Sequence, residues 1–377
     1  MDLKKLLNTF KMKDRILWVL PNYNFYNIQR INLLNSFYEI TVIAGKSDSK
    51  LGFDNNGIKS LSKVLNAQTT KKNFGFSFNV LNLVHKNLDN KKYVYLACEK
   101  KNLLLLLSLL FVRLFLRKKF KLFSYNHLEL KSKNSRFKWL DNLMTIFFFK
   151  VYDKIVFYTE QSCTKAIEKG YINKSKAFWA NNTLDNSEIS KRYIFTKPNQ
   201  DCFTFLFIGR LVPSKNIGVL LDYFLEIKRQ LPNHLIKLEI IGDGPQSFLV
   251  KEVINKNQNI VWHGTLIDEE KILPIMSRSN IIFVPGLSGL SINHAFFYGR
   301  PYMTIKSDNH GPEIDYLKDN INGCILKGEK QSDIEFIKIL VNDKLRIMDW
   351  SINAFETSKS LSVDLWVKQM VNAIEYD

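Results

Sequence analysis

Short apolar runs alternate with helical segments along the chain. Arg15–Leu20 is a compact apolar run that ends at Pro21, and Phe203–Ile208 is another that ends at Gly209. Continuous apolar runs separated by helical patterns are typical of parallel sheets covered on both faces, so the pattern predicts an α/β fold. The other predicted strands are Ile40–Ala44, Lys92–Ala97, Lys121–Tyr125, Lys154–Tyr158, Ile236–Ile241, Asn259–Trp262 and Ile281–Val284, and helices are predicted at Leu103–Leu116 and from Ile217 through Phe224.

The length of 377 residues predicts two domains more readily than one, because single cores stop growing near ~250–300 residues. Two polar, turn-rich stretches, 180–185 and 191–201, indicate the junction. We therefore predict a first domain at 1–190, a linker at 191–201, a second domain at 202–355, and a C-terminal helix within 356–377 that packs back toward the first domain.

The net charge of +18 belongs entirely to the first half of the chain. Residues 1–190 hold 32 Lys and Arg against 14 Asp and Glu, whereas residues 191–377 hold 22 of each kind. A field this one-sided attracts a polyanion or an anionic membrane surface. General solubility is the alternative, but it does not explain why one half carries the whole excess.

Amphipathic segments occur in the same basic half. One has Leu3, Leu6, Leu7 and Phe10 on a single helical face among lysines, and the other runs from Arg136 to Lys150 with Trp139, Leu140, Met144 and Phe147–Phe149. Such helices bind in the plane of a membrane interface, although each stripe is also compatible with packing on the protein's own core. Combined with the charge asymmetry, they favour an anionic membrane partner. Nucleic acid is the competing partner, and no nucleic-acid-binding motif accompanies the basic patch.

Several common classes are excluded or disfavoured. No apolar run reaches the ~18 residues needed to span a bilayer, and the first residues lack the apolar core of a secretory signal. The four cysteines lie far apart without a C-x-x-C pair, which predicts reduced thiols, a cytoplasmic protein and no metal site. The absence of G-x-G-x-x-G and of a P-loop motif excludes those two nucleotide-binding patterns.

Candidate chemistry lies in glycine-containing loops that follow the strands of the second half. Arg210 and Lys215 lie five residues apart after one strand, where a guanidinium fork and an ammonium suit a diphosphate, although two solvated surface charges would look the same. The loop Pro285–Ser291 contains Gly286 and Gly289, and its amides are expected to cradle the same phosphates. Together the loops predict a nucleotide-diphosphate ligand.

A series of short motifs runs through the second half of the chain. They are Gly209-Arg210-Leu211 with Lys215, Ile241-Gly242-Asp243-Gly244-Pro245, Trp262-His263-Gly264, Gly289-Leu290 with Ala295, Gly299-Arg300-Pro301, Gly311-Pro312-Glu313-Ile314 and Asn322-Gly323. In this order and spacing they resemble family 4 glycosyltransferases, over roughly residues 180–326, and Asn182-Thr183-Leu184-Asp185 resembles that family's interdomain turn. The resemblance implies a GT-B fold, with two Rossmann-like domains whose parallel sheets face a central cleft, and a metal-independent, retaining transfer from a nucleotide sugar.

The resemblance also implies roles for individual residues. Catalytic roles fall to His127, Arg210 and Lys215, with His127 facing the donor sugar. The implied donor-binding residues are Gly264, Thr265, Leu266, Gly286, Gly289, Leu290, Ser291, His294 and Glu313. His127 is alternatively a structural histidine, and Glu313 a first-turn acidic residue of a helix.

Two departures from the family pattern affect the donor site. The family carries two glutamates with seven residues between them, and here Gly286 and His294 occupy those positions. His294 can still hydrogen-bond ribose hydroxyls, whereas Gly286 offers no side chain. Loss of activity is one explanation, and a subfamily that holds the donor through backbone amides and His294 is the other. The family's glycine pair after the first strand is also replaced, by Pro21-Asn22-Tyr23-Asn24.

The sequence therefore predicts a glycosyltransferase that builds a bacterial surface polysaccharide such as O-antigen or capsule. Its partners would be a nucleotide-sugar donor, a saccharide or lipid-linked acceptor and an anionic membrane, with no cofactor and no metal. The expected location is the cytoplasmic face of the inner membrane. A nucleotide-sugar epimerase or phosphorylase of the same fold, and an inactive membrane- or polyanion-binding homologue, are the alternatives.

Overall fold

The computed structural model describes residues 13–21, 25–45, 63–67, 69, 74–128, 138–199 and 201–376, with the backbone alone at 25–28 and 138. The first amphipathic segment (Leu3 to Phe10), Asn22-Tyr23-Asn24, and Arg136 and Phe137 of the second segment lie outside these residues. The chain divides into two compact units, Met1–Asn181 with Val363–Asp377, and Asn182–Ser362.

The first unit contains, among its described residues, a sheet of seven strands. The strands are β1 Arg15–Leu20, β2 Glu39–Ala44, β3 Lys63–Asn66, β4 Tyr93–Leu96, β5 Lys121–Asn126, β6 Lys154–Phe157 and β7 Ala177–Trp179. Their order in the sheet is β3-β2-β1-β4-β5-β6-β7, and every neighbouring pair is parallel. The helices are α1 Phe25–Leu34, α2 Phe78–Lys86, α3 Leu103–Phe115, α4 Lys138–Val151, α5 Glu160–Glu168 and the C-terminal α13 Val363–Glu375.

Alternate residues of these strands enter two separate apolar cores, because successive side chains of a strand point to opposite faces of the sheet. Leu17 and Val19 pack with α2, α3, α4 and α5 on one face. Ile16 and Trp18 pack on the other face, where α1 and α13 supply residues that include Trp366. The end of the chain thus completes the first unit.

The second unit has, within the described part of the chain, a sheet of six strands. The strands are β8 Phe203–Ile208, β9 Ile236–Ile241, β10 Ile260–Trp262, β11 Ile281–Phe283, β12 Tyr302–Ile305 and β13 Gly323–Leu326. Their order in the sheet is β10-β9-β8-β11-β12-β13, and every neighbouring pair is again parallel. The helices are α6 Ser187–Arg192, α7 Ile217–Gln230, α8 Ser247–Ile254, α9 Glu269–Arg278, α10 Ser291–Phe297, α11 Lys330–Asn342 and α12 Lys344–Ser358.

The prediction of two α/β domains with parallel sheets is confirmed, but the boundaries differ from those read in the sequence. The first boundary lies at 181–182 instead of 190–191, because Ile189 and Tyr193 are buried in the core of the second unit. The Tyr193 hydroxyl also donates a hydrogen bond to the Tyr298 carbonyl, at 2.9 Å. The predicted linker 191–201 is therefore part of the second unit. The C-terminal segment that belongs to the first unit begins at Val363, whereas α12, which ends at Ser358, still belongs to the second unit.

No helix in the described ranges is long and apolar enough to cross a bilayer.

Candidate functional site

The order in which the chain adds strands to the second sheet reverses between β8 and β11. The chain leaves β8 toward β9 on one side, while β11 and β12 lie on the other side. Loops at the carboxyl ends of such neighbouring strands diverge and leave a crevice, which is where open α/β sheets bind their ligands. The loops concerned are 209–216 after β8 and 284–290 after β11, and they contain Arg210, Lys215, Gly286 and Gly289.

The two loops are in direct contact through their backbones. The Gly286 amide donates to the Lys215 carbonyl at 3.2 Å, and the Leu287 amide donates to the Ser214 carbonyl at 2.7 Å. A Cβ at position 286 would overlap the Ser214 carbonyl oxygen and lie 2.7 Å from the Lys215 carbonyl carbon. Position 286 therefore requires glycine in this arrangement, and the glutamate that the family resemblance led us to look for has no space there.

Lys215 and Arg210 place two cations beside this contact. The half-buried Lys215 donates from Nζ to the Leu287 carbonyl at 2.5 Å, and burial lowers the pKa of the Lys215 ammonium while the charge of Glu313 opposes that shift. Arg210 is exposed, and within the described residues its guanidinium has no hydrogen bond or ion pair. One cation is thus fixed by the loop, and the other is available to an anion.

The amides of the second loop fall into two groups. Those of Gly286, Leu287 and Ser288 are used inside the protein, the last donating to His310 Nδ1 at 3.1 Å. Those of Gly289, Leu290 and Ser291 have no acceptor among the residues that the structure describes. Successive backbone amides without an internal acceptor are the groups from which anion-binding concavities are built, so only these last three residues remain candidates for the predicted phosphate cradle.

A buried polar network supports the loop from below. The Tyr302 hydroxyl lies 2.7 Å from Ser291 Oγ and donates to Ser288 Oγ at 3.2 Å, and Ser288 Oγ lies 3.1 Å from Thr304 Oγ1. Burial raises the pKa of Tyr302 to about 12, so its hydroxyl remains protonated. The network fixes the loop through hydroxyl groups, with no charged group among these four side chains.

His310 holds the same loop and was not singled out in the sequence. Its Nε2 donates to the Ile305 carbonyl at 2.8 Å, which leaves Nδ1 to accept the Ser288 amide. Burial lowers the pKa of His310, and the backbone bond to Ile305 only partly opposes this, so the neutral ring that the bonding requires is also the favoured form. Its position immediately before Gly311-Pro312 was the available sequence signal.

Glu313 is buried beside the glycines of the loop. Asn182 Nδ2 donates to Glu313 Oε1, and Asn182 is itself held by Asn293 Nδ2, which donates to its carbonyl at 3.0 Å. A Cβ at Gly289 would lie 3.7 Å from Glu313 Oε2, so the carboxylate borders the loop. Glu313 also stands in the first turn of the short 3-10 helix Pro312–Tyr316, so the two sequence interpretations of this residue are compatible.

His294 is paired with a carboxylate that the sequence did not reveal. Its Nε2 lies 3.1 Å from Glu269 Oε1, and the Tyr298 hydroxyl donates to Glu269 Oε2 at 2.6 Å. Burial of Glu269 raises its pKa, but the bonds from His294 and Tyr298 outweigh burial and hold the pKa below the ordinary value. A carboxylate therefore does lie beside position 294, but it belongs to the first residue of α9 and not to α10. The two residues are 25 positions apart along the chain, so the sequence alone did not reveal that they pair.

Gly264, Thr265 and Leu266 follow β10, two strands away from β8. The Gly264 carbonyl accepts the Gly242 amide at 2.7 Å, Thr265 is exposed, and Leu266 packs on the core. Within the described ranges no backbone hydrogen bond joins them to the loop after β11.

His127 belongs to the first unit, directly after β5. Its ring centroid lies 4.5 Å from that of Tyr158. The His127 side chain is partly exposed to solvent. Its pKa is lowered, because desolvation by the surrounding protein outweighs the opposing effect of the charge of Glu99. The role of His127 toward a donor stays a prediction.

Among the described residues, no group of three His, Cys, Asp or Glu side chains is placed to hold a metal ion.

Residues 191–356 match the family model for glycosyl transferases group 1. No curated protein sequence matches the chain. Among solved structures, the chain is similar to the lipopolysaccharide outer core galactosyltransferase WaaB, at 14% identity, covering 96% of this chain and 99% of that chain, with a TM-score of 0.70. The chain is also similar to HepE of Anabaena in complex with UDP, at 15% identity, covering 96% of this chain and 99% of that chain, with a TM-score of 0.68. Its identity to sucrose-phosphate synthase of Thermosynechococcus elongatus is 13%, covering 96% of this chain and 98% of that chain, with a TM-score of 0.64. At these identities the structures establish the shared GT-B fold, and the domain match together with that fold supports a glycosyltransferase.

Proposed function

We propose that this glycosyltransferase moves a sugar, with retention of anomeric configuration, from a nucleotide-diphosphate sugar to a lipid-linked or growing saccharide of a bacterial surface polysaccharide. The observation that carries the proposal is the contact between the loops after β8 and β11, where the strand order of the sheet reverses. There Lys215, Arg210 and the amides of Gly289, Leu290 and Ser291, which have no acceptor among the described residues, offer two positive charges and three backbone donors to a diphosphate.

UDP is the nucleotide that the structural relatives favour. HepE has been crystallised with UDP and with UDP-glucose. The paired His294 and Glu269 would meet the polar part of such a donor, since Nδ1 of the ring and the carboxylate oxygens can bond hydroxyl groups.

The chemistry needs no nucleophile from the protein. The bond between the anomeric carbon and the diphosphate oxygen breaks, the acceptor oxygen bonds to the same face of the sugar, and the acceptor proton passes to the departing diphosphate. The protein's part is to stabilise the negative charge that develops on the diphosphate, for which Lys215 and the loop amides are held in advance by the fold. His127 would help to orient the sugar.

We propose that transfer is independent of metal ions, because the two cations and three amides offset the charge of the leaving group. We expect EDTA to leave the initial rate of sugar transfer unchanged. Activity that EDTA abolishes and Mn²⁺ restores would contradict this role of the cations.

The acceptor class is supported by the one-sided charge of residues 1–190 and by the structural similarity to WaaB, a galactosyltransferase of the lipopolysaccharide outer core. A basic half suits an acceptor that is anchored in an anionic membrane, at the cytoplasmic face of the inner membrane. O-antigen and capsule precursors are the polysaccharides of this kind that we propose.

The first experiment is to screen UDP- and GDP-sugars for thermal stabilisation, since a ligand that binds only the folded state raises its stability. The sugar that stabilises is then supplied with lipid-linked acceptors, and the anomeric configuration of the product is determined by NMR. An epimerase would convert the donor without an acceptor, and an inactive homologue would bind donor without turnover. Either result, or an inverted product, would reject the proposal.

A further inference from the structure

Helix α3 is apolar on its outer side as well as on its inner side. Leu105, Leu106, Leu109 and Val112 are buried against the sheet. A second stripe faces solvent at the spacing of three and four residues that places side chains on one helical face. Its members are Leu107, Phe111 and Leu114, which are 47%, 54% and 71% exposed, and Phe115 and Leu116 continue it at the end of the helix.

Helix α4 lies beside α3 and repeats the feature. Lys100, just before α3, pairs with Asp141 of α4, and Arg113 of α3 makes two hydrogen bonds of 2.7 and 2.9 Å to Asp153, just after α4. The helices therefore run side by side on one side of the sheet. The outer stripe of α4 consists of Trp139, Leu140, Leu143 and Phe147. We call the two exposed stripes together the α3–α4 face.

Basic side chains border this face. Arg117 and Lys119 follow α3 directly and are exposed, and in the described part of the chain neither has an ion-pair partner. Lys150 is exposed near the end of α4, also without an ion pair there. The α3–α4 face thus combines large aliphatic and aromatic groups with uncompensated positive charge.

We propose that the α3–α4 face is the membrane-docking surface of this protein and inserts into the headgroup boundary of an anionic bilayer. Basic residues around an apolar stripe match that boundary, where lipid phosphates meet acyl chains. A second copy of the chain would bring the same positive charges together. Nucleic acid would leave the leucine stripe without a partner. The inference rests on the proposed function only in that a lipid-linked acceptor gives the docking its purpose.

Vesicle co-sedimentation of the full chain, without donor or acceptor, tests the surface. Wild-type protein should bind vesicles that contain phosphatidylglycerol and bind phosphatidylcholine vesicles weakly. The triple variant Leu107→Gln, Phe111→Gln, Leu114→Gln should bind the anionic vesicles at least tenfold more weakly. The matched control replaces exposed apolar residues of the second unit, Leu235→Gln, Ile339→Gln and Leu345→Gln, and should bind like wild type.

A charge variant keeps the test independent of the apolar substitutions. Arg117→Gln with Lys119→Gln should weaken binding to anionic vesicles about fivefold per removed charge, which corresponds to about 1 kcal/mol each. Binding to neutral vesicles should not change. The control pair, Lys256→Gln with Lys271→Gln, removes two exposed charges from the second unit and should have no effect.

Tryptophan fluorescence locates the contact. Trp139 is 62% exposed on the α3–α4 face, so brominated lipids should quench wild-type emission, and Trp139→Phe should remove most of that quenching. Trp179→Phe, at a 38% exposed residue of β7, is the control and should leave the quenching unchanged.

Wild-type protein that ignores anionic vesicles, or a triple variant that binds them normally, would overturn the inference. A dimer that the triple variant abolishes, or tight RNA binding by the α3–α4 face without vesicle binding, would also overturn it and identify a different partner. Thermal stabilisation of the triple variant by UDP separates this result from the proposed function, because UDP binding should persist when docking is lost.

Discussion

At the scale of single residues, the two cations of the proposed diphosphate site have different environments. Lys215 is held by Leu287 and partly desolvated, whereas Arg210 is exposed. We expect Lys215→Ala and Arg210→Ala each to lower kcat/KM for the nucleotide sugar at least tenfold, because a charged hydrogen bond contributes roughly 1.5–3 kcal/mol. Lys237→Ala, at an exposed residue of β9, is the control. Wild-type kinetics in both site variants would remove these residues from the diphosphate site.

His294 and Glu269 act as a pair, so their variants should be coupled. We expect His294→Ala and Glu269→Gln each to weaken UDP binding in calorimetry without unfolding the protein. The double variant Glu269→Gln with His294→Glu moves the carboxylate from α9 to α10, and it should bind UDP better than His294→Glu alone, in which two carboxylates face each other. Additive effects across this set would show that the two side chains do not cooperate.

The same pair gives a pH dependence of stability. The pKa of Glu269 is lowered in the folded state, so its stabilising effect is fully present above the ordinary value of 4.5 and is lost as the pH falls through the lower folded-state value. We expect the Tm difference between wild type and Glu269→Gln to shrink as the pH is lowered from 6 to below that range. A difference that is constant over this titration would mean that Glu269 is not ionised in the pair.

At the scale of elements, the site depends on two loops that touch through their backbones. Gly286→Ala would force the Ser214–Lys215 backbone away, because the added Cβ overlaps the Ser214 carbonyl oxygen. We expect a lower Tm and weaker donor binding. Gly218→Ala, at the start of α7, is the contrasting variant, because the added Cβ would lie 3.7 Å from its nearest neighbour, a side-chain atom of Leu249. Replacing a helical glycine by alanine typically raises the free energy of unfolding by about 0.5–1 kcal/mol. Equal stability of the two variants would contradict this description of the loop contact.

The sequence predicted all five strands of six residues, but only half of the eight shorter strands. The expected strands of both sheets are confirmed, with ends that differ by a residue or so, as at Ile40–Ala44 for Glu39–Ala44. Four strands of three or four residues were missed, because Lys63–Asn66 alternates weakly and Gly323–Leu326 begins with a glycine in a left-handed conformation. Short strands of this kind depend on packing and pairing with the neighbouring strands of the sheet, and the local sequence pattern does not show which neighbours they will have.

At the scale of the whole molecule, the sequence identified which loops meet but not how the site is completed. Strand ends and glycines predicted that Arg210, Lys215 and the loop 285–291 belong together, and the sheet order brings them to one edge. The partners Glu269, His310 and Asn182 come from distant segments, so only the fold assembles them. Glu269 is the clearest case, because the carboxylate that pairs with His294 stands on a different helix.

We expect the uneven charge of the chain to make sugar transfer depend on ionic strength only when the acceptor lies in an anionic membrane. All +18 units of net charge lie in residues 1–190, whereas residues 191–377, which contain the proposed diphosphate site, have a net charge of zero. Raising salt from 0.1 to 1 M shortens the Debye length from ~10 to ~3 Å and screens exposed charges more than partly buried ones. We expect transfer to a lipid-linked acceptor in anionic vesicles to fall several-fold over this range. Transfer to a water-soluble analogue of the acceptor, and the KM for the donor, should change much less because Lys215 is partly desolvated and no membrane is involved. Equal losses with both acceptors would place the salt effect in the donor site and remove the membrane from the mechanism.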